Sequence, residues 1–369
     1  MKSFYLATFL VLISGTIVSC TNDNLVDGYK PATISLSLKS DSVSVNKAKS
    51  RANITVPSDG GNTIGTDEAT LHNVCAALFD ANDNLVTLHE YTYNGDEKFI
   101  TTTDAKKIIV VANAPTNAFL GTKNLNGFKT IAQDLGYTTS SNGLSKTNVS
   151  TANSQTTTAL PMSSDVISIV WSATNTWGGT SNPVILTRKV ARVALTSIKT
   201  AFSGGYAGCT FTPTEIFMYN ANNNLSDWVS NTVSGNVSGE YSLGSVTNYL
   251  SSGASPSAPS DTNPYFFYVY PHSAINPTKL VVRGLFKTVS DPTGVTKYYP
   301  IIVNHLQNGS TIGGVQGTDS QIDANRIYNI KLTIAGIGVD SPGDDITPVL
   351  ITVQTSVSTM NNATMNVGF

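Results

Sequence analysis

The side chains able to do acid–base, nucleophilic or metal chemistry are few and scattered in this 369-residue chain. The four histidines, His72, His89, His272 and His305, lie far apart, with no ligand spacing and no acidic cluster beside them. Histidine-based catalysis and zinc binding need such residues at set spacings. No two-histidine zinc motif, nucleophile elbow, phosphate loop or dinucleotide fingerprint occurs. The glycine-rich "GIGVDSPG", residues 336–343, lies between two strand-like runs and reads as a turn. "DANDN", residues 80–84, has the oxygens of a calcium loop. It lacks the glycine and the distal glutamate of an EF-hand, whose twelfth position here is Tyr91, so it too reads as a turn. The acidic "VDSPGDD", with Asp340, Asp344 and Asp345, is read the same way. Trp171, Trp177 and Trp228 could stack on sugar rings or pack into a core. No cofactor, no metal and no enzymatic activity are expected.

The three cysteines divide by context. "MKSFYLATFLVLISGTIVSC" has Lys2, an apolar run too short for a typical membrane span, and small residues before Cys20. The ending "IVSC", followed at once by polar residues, resembles the lipobox of bacterial lipoproteins. Residues 1–19 are therefore expected to be a signal peptide, and Cys20 the lipidated residue that tethers the chain to a membrane. Cys75 in "VCAALF" and Cys209 in "AGCTF" are too few for a cysteine metal site; they could form one disulfide linking the two halves of the chain, and two buried free thiols are the favoured reading.

The elements that carry these residues follow from composition and periodicity. Charged residues are 12% of the chain, about half the usual share, with a net charge of −2, which argues against a nucleic-acid partner. Hydrophobic residues are 40%, enough to fill a core. Short apolar or alternating runs recur between Gly, Asn, Asp and Pro, among them "ATISLSLK", "KKIIVVANA", "VISIVWSA", "KVARVALTSIK", "PYFFYVY", "KLVVRGLFKTV", "KYYPIIVNH", "RIYNIKLTIAG" and "PVLITVQTSV". That is an all-β pattern. A single helix is predicted, over residues 126–137. A weak repeat, aromatic–x–Ala–Asn–x–Asn–Leu, occurs in "ALFDANDNLVTLHEY" (77–91) and "FMYNANNNLSDW" (217–228) and predicts two similar hairpins. It suggests two similar sandwiches, over residues 52–183 and 184–369.

Two stretches look like strands looking for a sheet. Near the start, Ile34, Leu36 and Leu38 alternate with Ser and Lys, as in a half-buried strand. Near the other end, Val349, Ile351, Val353 and Val357 share one parity, and after "STMNN" the residues Met365, Val367 and Phe369 continue it. Each can be an edge strand of its own unit. Alternatively, the second can dock into another molecule's sheet, where backbone hydrogen bonds give affinity and alternate side chains fill pockets.

In order along the chain, the lipobox, "ATISLSLK" with an Arg-bearing linker, "KKIIVVANAP", "ALPMSSD", "TRKVARVALTSIKTAF", "FTPTEIFMYNANNN", "KYYPIIVNH" and "NRIYNIKLTIAGIG" resemble a Bacteroidetes fimbrillin of the FimA-like major fimbrial subunit type. The resemblance implies two transthyretin-like Greek-key β-sandwich domains with a short helix in the first. It implies export as a lipoprotein to the outer membrane and a surface fimbria used in adhesion. An arginine-specific or trypsin-like protease would cut between Arg51 and Ala52, removing residues 20–51 with Ile34, Leu36 and Leu38. Lys47 and Lys49 offer the same linker to a trypsin-like enzyme. The opened groove would take a donor strand from within residues 349–369 of another copy or a related subunit. A fimbrial anchor or tip, or a surface lipoprotein that binds glycan or a host ligand, are the alternatives. This chain ends in "MNVGF", where many shaft subunits end near a tryptophan.

Overall fold

A computed structural model describes residues 30–40, 71–131, 133–134, 160–222, 224–225, 227–229, 259–260, 264–305, 318–347 and 350–360. The all-β expectation holds: among the described residues the regular elements are nearly all strands, arranged in several sheets, with one short α-helix.

In the first half, β1 (Pro31–Leu36), β5 (Glu97–Thr102) and β10 (Thr176–Gly178) form a three-stranded sheet in the order β10-β1-β5. A larger sheet runs β2 (Leu38–Ser40), β11 (Val184–Arg188), β8 (Met162–Ser163), β6 (Lys107–Ala112), β3 (Asn73–Phe79) and β4 (Leu85–Thr92), with β9 (Ile167–Ser168) also on β6. Strands β3 and β6 are the continuous apolar runs "NVCAALF" and "KIIVVA". Nearly every residue in them is buried, as expected of central strands covered on both faces. One core cluster lies here, including Ile34, Leu36, Phe79, Ile108 and Leu186.

In the second half, β12 (Ala191–Thr200), β15 (Tyr265–Val269), β18 (Arg326–Ile334) and β19 (Ile351–Thr359) make a four-stranded sheet in the order β15-β12-β18-β19. β13 (Thr210–Tyr219), β16 (Lys279–Lys287) and β17 (Val295–Ile302) make a three-stranded one. Val193, Leu195, Phe267 and Leu332 from the first and Met218, Leu280, Val282 and Ile301 from the second meet in one cluster, giving a β-sandwich.

Four details differ from the sequence-based expectations. The helix, α1 (Leu125–Lys129), is only five residues long. It is capped by Asn124, whose side chain accepts from Gly127 N at 2.8 Å. Beyond it, β7 (Gln133–Asp134) pairs with β14 (Asn224–Leu225), so those residues serve a sheet and not a helix. The first hairpin of the repeat forms: β3 and β4 pair across a turn in which the Asp80 carboxylate accepts from Asn82 N and Asn84 N, both at 2.8 Å. The second does not, because β13 pairs with β16, Asn222 bridges to Tyr270, and Asn224–Leu225 pairs with β7 instead. Strand β11, which the expected division put at the start of the second half, pairs with β2 and β8. In "VISIVWSA" only Ile167–Ser168 pairs, and Val170 is exposed.

Candidate functional site

The strand-like stretch near the start has an interior place. β1 runs antiparallel to β5 and parallel to β10, so both its edges are hydrogen-bonded. Ile34 faces Phe99 on one side and Trp177 on the other. The alternation read from the sequence becomes burial: Ala32 is 3% exposed, Ile34 0%, Leu36 1% and Leu38 8%. Thr33 and Ser35, between them, are half-buried. After Ser37 the chain leaves this sheet and joins the larger one as β2, parallel to β11. This ten-residue segment therefore contributes to both sheets.

The backbone of the segment is held along its length. Thr103 N donates to Lys30 O (2.9 Å), Thr33 N to Asn175 O (2.9 Å), Gly179 N to Ser35 O (2.8 Å) and Val184 N to Ser37 O (2.8 Å). These bonds do not depend on the side chains of β1, so another extended segment could make them. Gly178 sets the spacing on one side. Its φ is +88°, and a Cβ there would stand 2.2 Å from Ser35 O. Only glycine accepts both that dihedral and that approach. The wall on the other side is stiffened by Phe99, which stacks on His89 with centroids 4.3 Å apart, while His89 Nε2 lies 3.1 Å from Glu97. A cavity of about 830 Å³ runs beside the strand, lined by Ser35, Leu36, Lys98, Val170 and Trp177 among others.

The second strand-like stretch is already used in its own chain. β19 lies at the edge of the four-stranded sheet, antiparallel to β18 over nine pairs from Arg326↔Thr359 to Ile334↔Ile351. Ile351 and Val353 are each 3% exposed and belong to the second core. Val357 pairs with Tyr328 through the backbone. Met360 is fully buried against the first core, and its N–H donates to Asn325 O at 3.1 Å. Cys20, Arg51, Ala52, Val349, Met365, Val367 and Phe369 lie outside the described residues.

The tryptophans separate into different roles. Trp228 is fully buried in the first core, edge-on to Phe119, with its indole N–H donating to Ile131 O at 2.9 Å. Ser163 Oγ donates to its carbonyl. It is core and does not face a sugar. Trp171 donates to Ala105 O (2.9 Å) and Thr103 O (3.1 Å) and is partly buried. Trp177 is half-buried beside β1. Cys75 and Cys209 are free thiols, the first buried and the second half-buried. Burial, reinforced by Glu90, pushes the Cys75 thiol pKa up, which keeps it unreactive. Lys189 is 4% exposed, and burial lowers its pKa to about 8 against the opposing pull of Asp165 and Asp227.

The acidic turns are engaged in structure. Asp83 pairs with Lys107, Asp340 with Lys297, and Asp345 with Lys279 at 3.0 Å. Lys279 Nζ also donates to Gly343 O at 2.8 Å. Among the described residues no group of three or more His, Cys, Asp or Glu is placed to hold a metal ion. Among them also, no helix is long and apolar enough to cross a membrane. Sequence reasoning missed Gly178, Asn175 and Met360; the only signal was the glycine pair in "NTWGGT".

Comparison with known proteins places this geometry. Residues 32–195, from β1 to the middle of β12, match the family described as major fimbrial subunit protein (FimA). Major fimbrium subunit FimA type-2 of Porphyromonas gingivalis is 27% identical over 245 residues, 53% of this chain and 63% of that protein. A second FimA type-2 subunit of the same organism is 27% identical over 202 residues, 45% of this chain and 52% of that protein. The chain thus spans between about half and just under two thirds of the curated relatives it matches. Among solved structures, a fimbrilin (FimA) from Porphyromonas gingivalis W83 superposes with a TM-score of 0.60 at 19% identity, covering 90% of this chain and 99% of that one. The tip fimbrial protein Mfa3 of the same organism superposes at 0.50 and 15% identity, covering 89% and 100%. At these identities the structural likeness concerns the fold. The family match starts on the buried first strand, and it is in this region, residues 32–195, that the chain is similar to the major fimbrial subunits of the FimA family.

Proposed function

We propose that this protein is a structural subunit of a surface fimbria used in adhesion, and that it polymerises by strand exchange after its first strand is removed. One observation carries the proposal. β1 fills the middle of a sheet with Ile34 and Leu36 fully buried, yet in sequence it is followed by residues 41–72, which contain Lys47, Lys49 and Arg51. A cut between Arg51 and Ala52 would leave β1 and β2 held by packing and hydrogen bonds alone. Their four apolar side chains account for a gross burial on the order of 5–10 kcal/mol. Once they depart, the exposed groove can recover that energy only from another apolar strand.

A strand donated from within residues 349–369 of a second copy supplies it. The contact is head-to-tail and does not close on itself, so it extends into a filament. Export as a lipoprotein through Cys20 would hold the uncut chain at the outer membrane until an arginine-specific or trypsin-like protease releases it. Other copies and related fimbrial subunits are the partners. We read the chain as two β-sandwich units joined after β11, since β11 pairs within the first-half sheets. The role is structural, in keeping with a family of fimbrial subunits.

The test is limited trypsin treatment of the purified full chain, with N-terminal sequencing and electron microscopy. The expected result is a new N-terminus at Ala52 followed by filament growth. Protein nicked at Arg51 that remains monomeric, with no change on deleting residues 357–369, would refute the proposal.

A further inference from the structure

Residues 32–38 define a series of sites that differ in size. Ala32 occupies a small closed site, Ile34 and Leu36 two large closed ones, and Ser37 a small site at the crossing between the sheets. Leu38 lies in a site at the margin, slightly open to solvent. Thr33 and Ser35 point to the half-buried outer side. The sequence that fits is Ala-Thr-Ile-Ser-Leu-Ser-Leu. Residues 363–369 of the same chain read Ala-Thr-Met-Asn-Val-Gly-Phe. Position for position, Ala363 matches Ala32, Thr364 matches Thr33, Met365 matches Ile34, and Asn366 matches Ser35. Val367 then matches Leu36, Gly368 matches Ser37, and Phe369 matches Leu38.

Resting on the strand-exchange reading above, we propose that residues 363–369 of a second copy take the place of residues 32–38 in this register and direction, with Ala363 and Gly368 as the residues that fix it. The register is selected by size. A slip by one residue turns Thr, Asn and Gly into the apolar sites. A slip by two in one direction puts Met365 into the alanine site, where an overpacked side chain is strained. A slip by two in the other puts Ala363 where Ile34 was, leaving a cavity, and forces Asn366 into the small site of Ser37. In register, the one enlarged apolar residue, Phe369, falls on the Leu38 site at the margin, and Asn366, larger than Ser35, falls on the half-buried side.

The geometry also points to a second copy over the chain's own groove. Met360 is tied to Asn325, and Asn325 N donates to Val190 O, just past β11. That is the end of the first unit where Arg188 pairs with Met162 and Met162 with Ala112. Ala32 lies at the other end, where Thr103 bonds to Lys30 and Lys106 N bonds to Phe79 O. The length of β6 alone separates these ends by about 17 Å. Residue 363 can lie no more than about 11 Å from residue 360.

Disulfide trapping in the full chain, cut at Arg51 and carrying Cys209→Ser, reads the register directly. Ser35 is paired with Lys98 and Thr33 with Ile100. Lys98→Cys with Asn366→Cys, and Ile100→Cys with Thr364→Cys, should each give a ladder of cross-linked copies on a non-reducing gel. Gly368→Leu and Ala363→Phe should each slow filament growth at least tenfold, while Met365→Leu should not. A ladder from Lys98→Cys with Thr364→Cys would show a slipped register and overturn the assignment. Cross-links confined to single chains, or filament growth by Gly368→Leu at the parent rate, would overturn it as well. If the cut parent chain forms no filament, the strand-exchange reading itself fails. Filaments without these cross-links would refute the register alone.

Discussion

Ile34→Ala removes most of a fully buried side chain that faces both Phe99 and Trp177. A buried Ile-to-Ala change costs about 2–5 kcal/mol, and a site with no exposure, walled by paired strands, leaves little room to collapse, so about 3 kcal/mol is expected. In the intact chain that loss lowers the denaturant midpoint with the slope unchanged. After cutting at Arg51 the consequence changes character. The substitution now weakens only the hold of the excised segment, and about 3 kcal/mol carried by its release corresponds to release on the order of 100-fold faster. Release can be followed by separating the cut segment from the remaining chain by size exclusion at successive times. Once the segment has gone, the variant and the parent are the same molecule, and their stability must coincide. Two results would refute the reasoning: an intact Ile34→Ala chain as stable as the parent, or a stability gap that survives loss of the segment.

Gly178→Ala should loosen β1, because the new Cβ would collide with Ser35 O in addition to the strain at φ +88°. Gly179→Ala carries similar dihedral strain at φ +105° with no atom within 4 Å, so hydrogen exchange of residues 32–36 should accelerate more in the first variant than in the second. Trp228→Ala should cost about 3–5 kcal/mol in urea unfolding, as for a buried aromatic and unlike a surface one. Lys189 has a folded pKa of about 8, below its unfolded value of 10.5. The unfolded chain therefore binds more protons between those pH values, and stability rises with pH across that window. Lys189→Met should abolish that rise and be the more stable protein at pH 7, by up to about 3 kcal/mol. Measurements should stop near pH 10. The buried Tyr328, whose pKa burial pushes up to about 12, ionises more readily once unfolded, so its stabilising effect fades as pH climbs beyond its unfolded value.

Several pieces of the fold were legible before any coordinates because their signals are local. Alternation over residues 32–36 reflects the two-residue period of a strand with one buried face, and Ala32, Ile34 and Leu36 are indeed buried there, whereas Ser37 and Leu38 are both buried where the chain crosses to the second sheet. The "DANDN" turn was legible for the same reason, since Asp80 caps its own neighbours. The second copy of that pattern misled. Its Asn residues accept the turn, with Asn220 at φ 54°, but the strand that follows pairs with β7 and not with β13. A turn motif specifies a change of direction and not the partner reached afterwards. The helix was overestimated likewise, because pairing of Gln133–Asp134 with Asn224–Leu225 outweighs the weak propensity of a short segment containing Gly127.

By itself the sequence determined that this is a β-protein, which residues of its first strand face a core, and that a second stretch repeats that strand's order of sizes. Those properties depend only on residues near one another in the chain. The tertiary structure alone decided that β1 has two neighbours, one of them the inconspicuous "TWG" of β10, with a glycine placed against the Ser35 carbonyl. It alone decided that Trp228 belongs to the first core and that Ile351 and Val353 complete their own sandwich. The reason is that strand pairing joins residues 61 to 143 positions apart through backbone groups that are alike at every residue. Which strands meet is chosen by the packing of the whole, and no local pattern carries that choice.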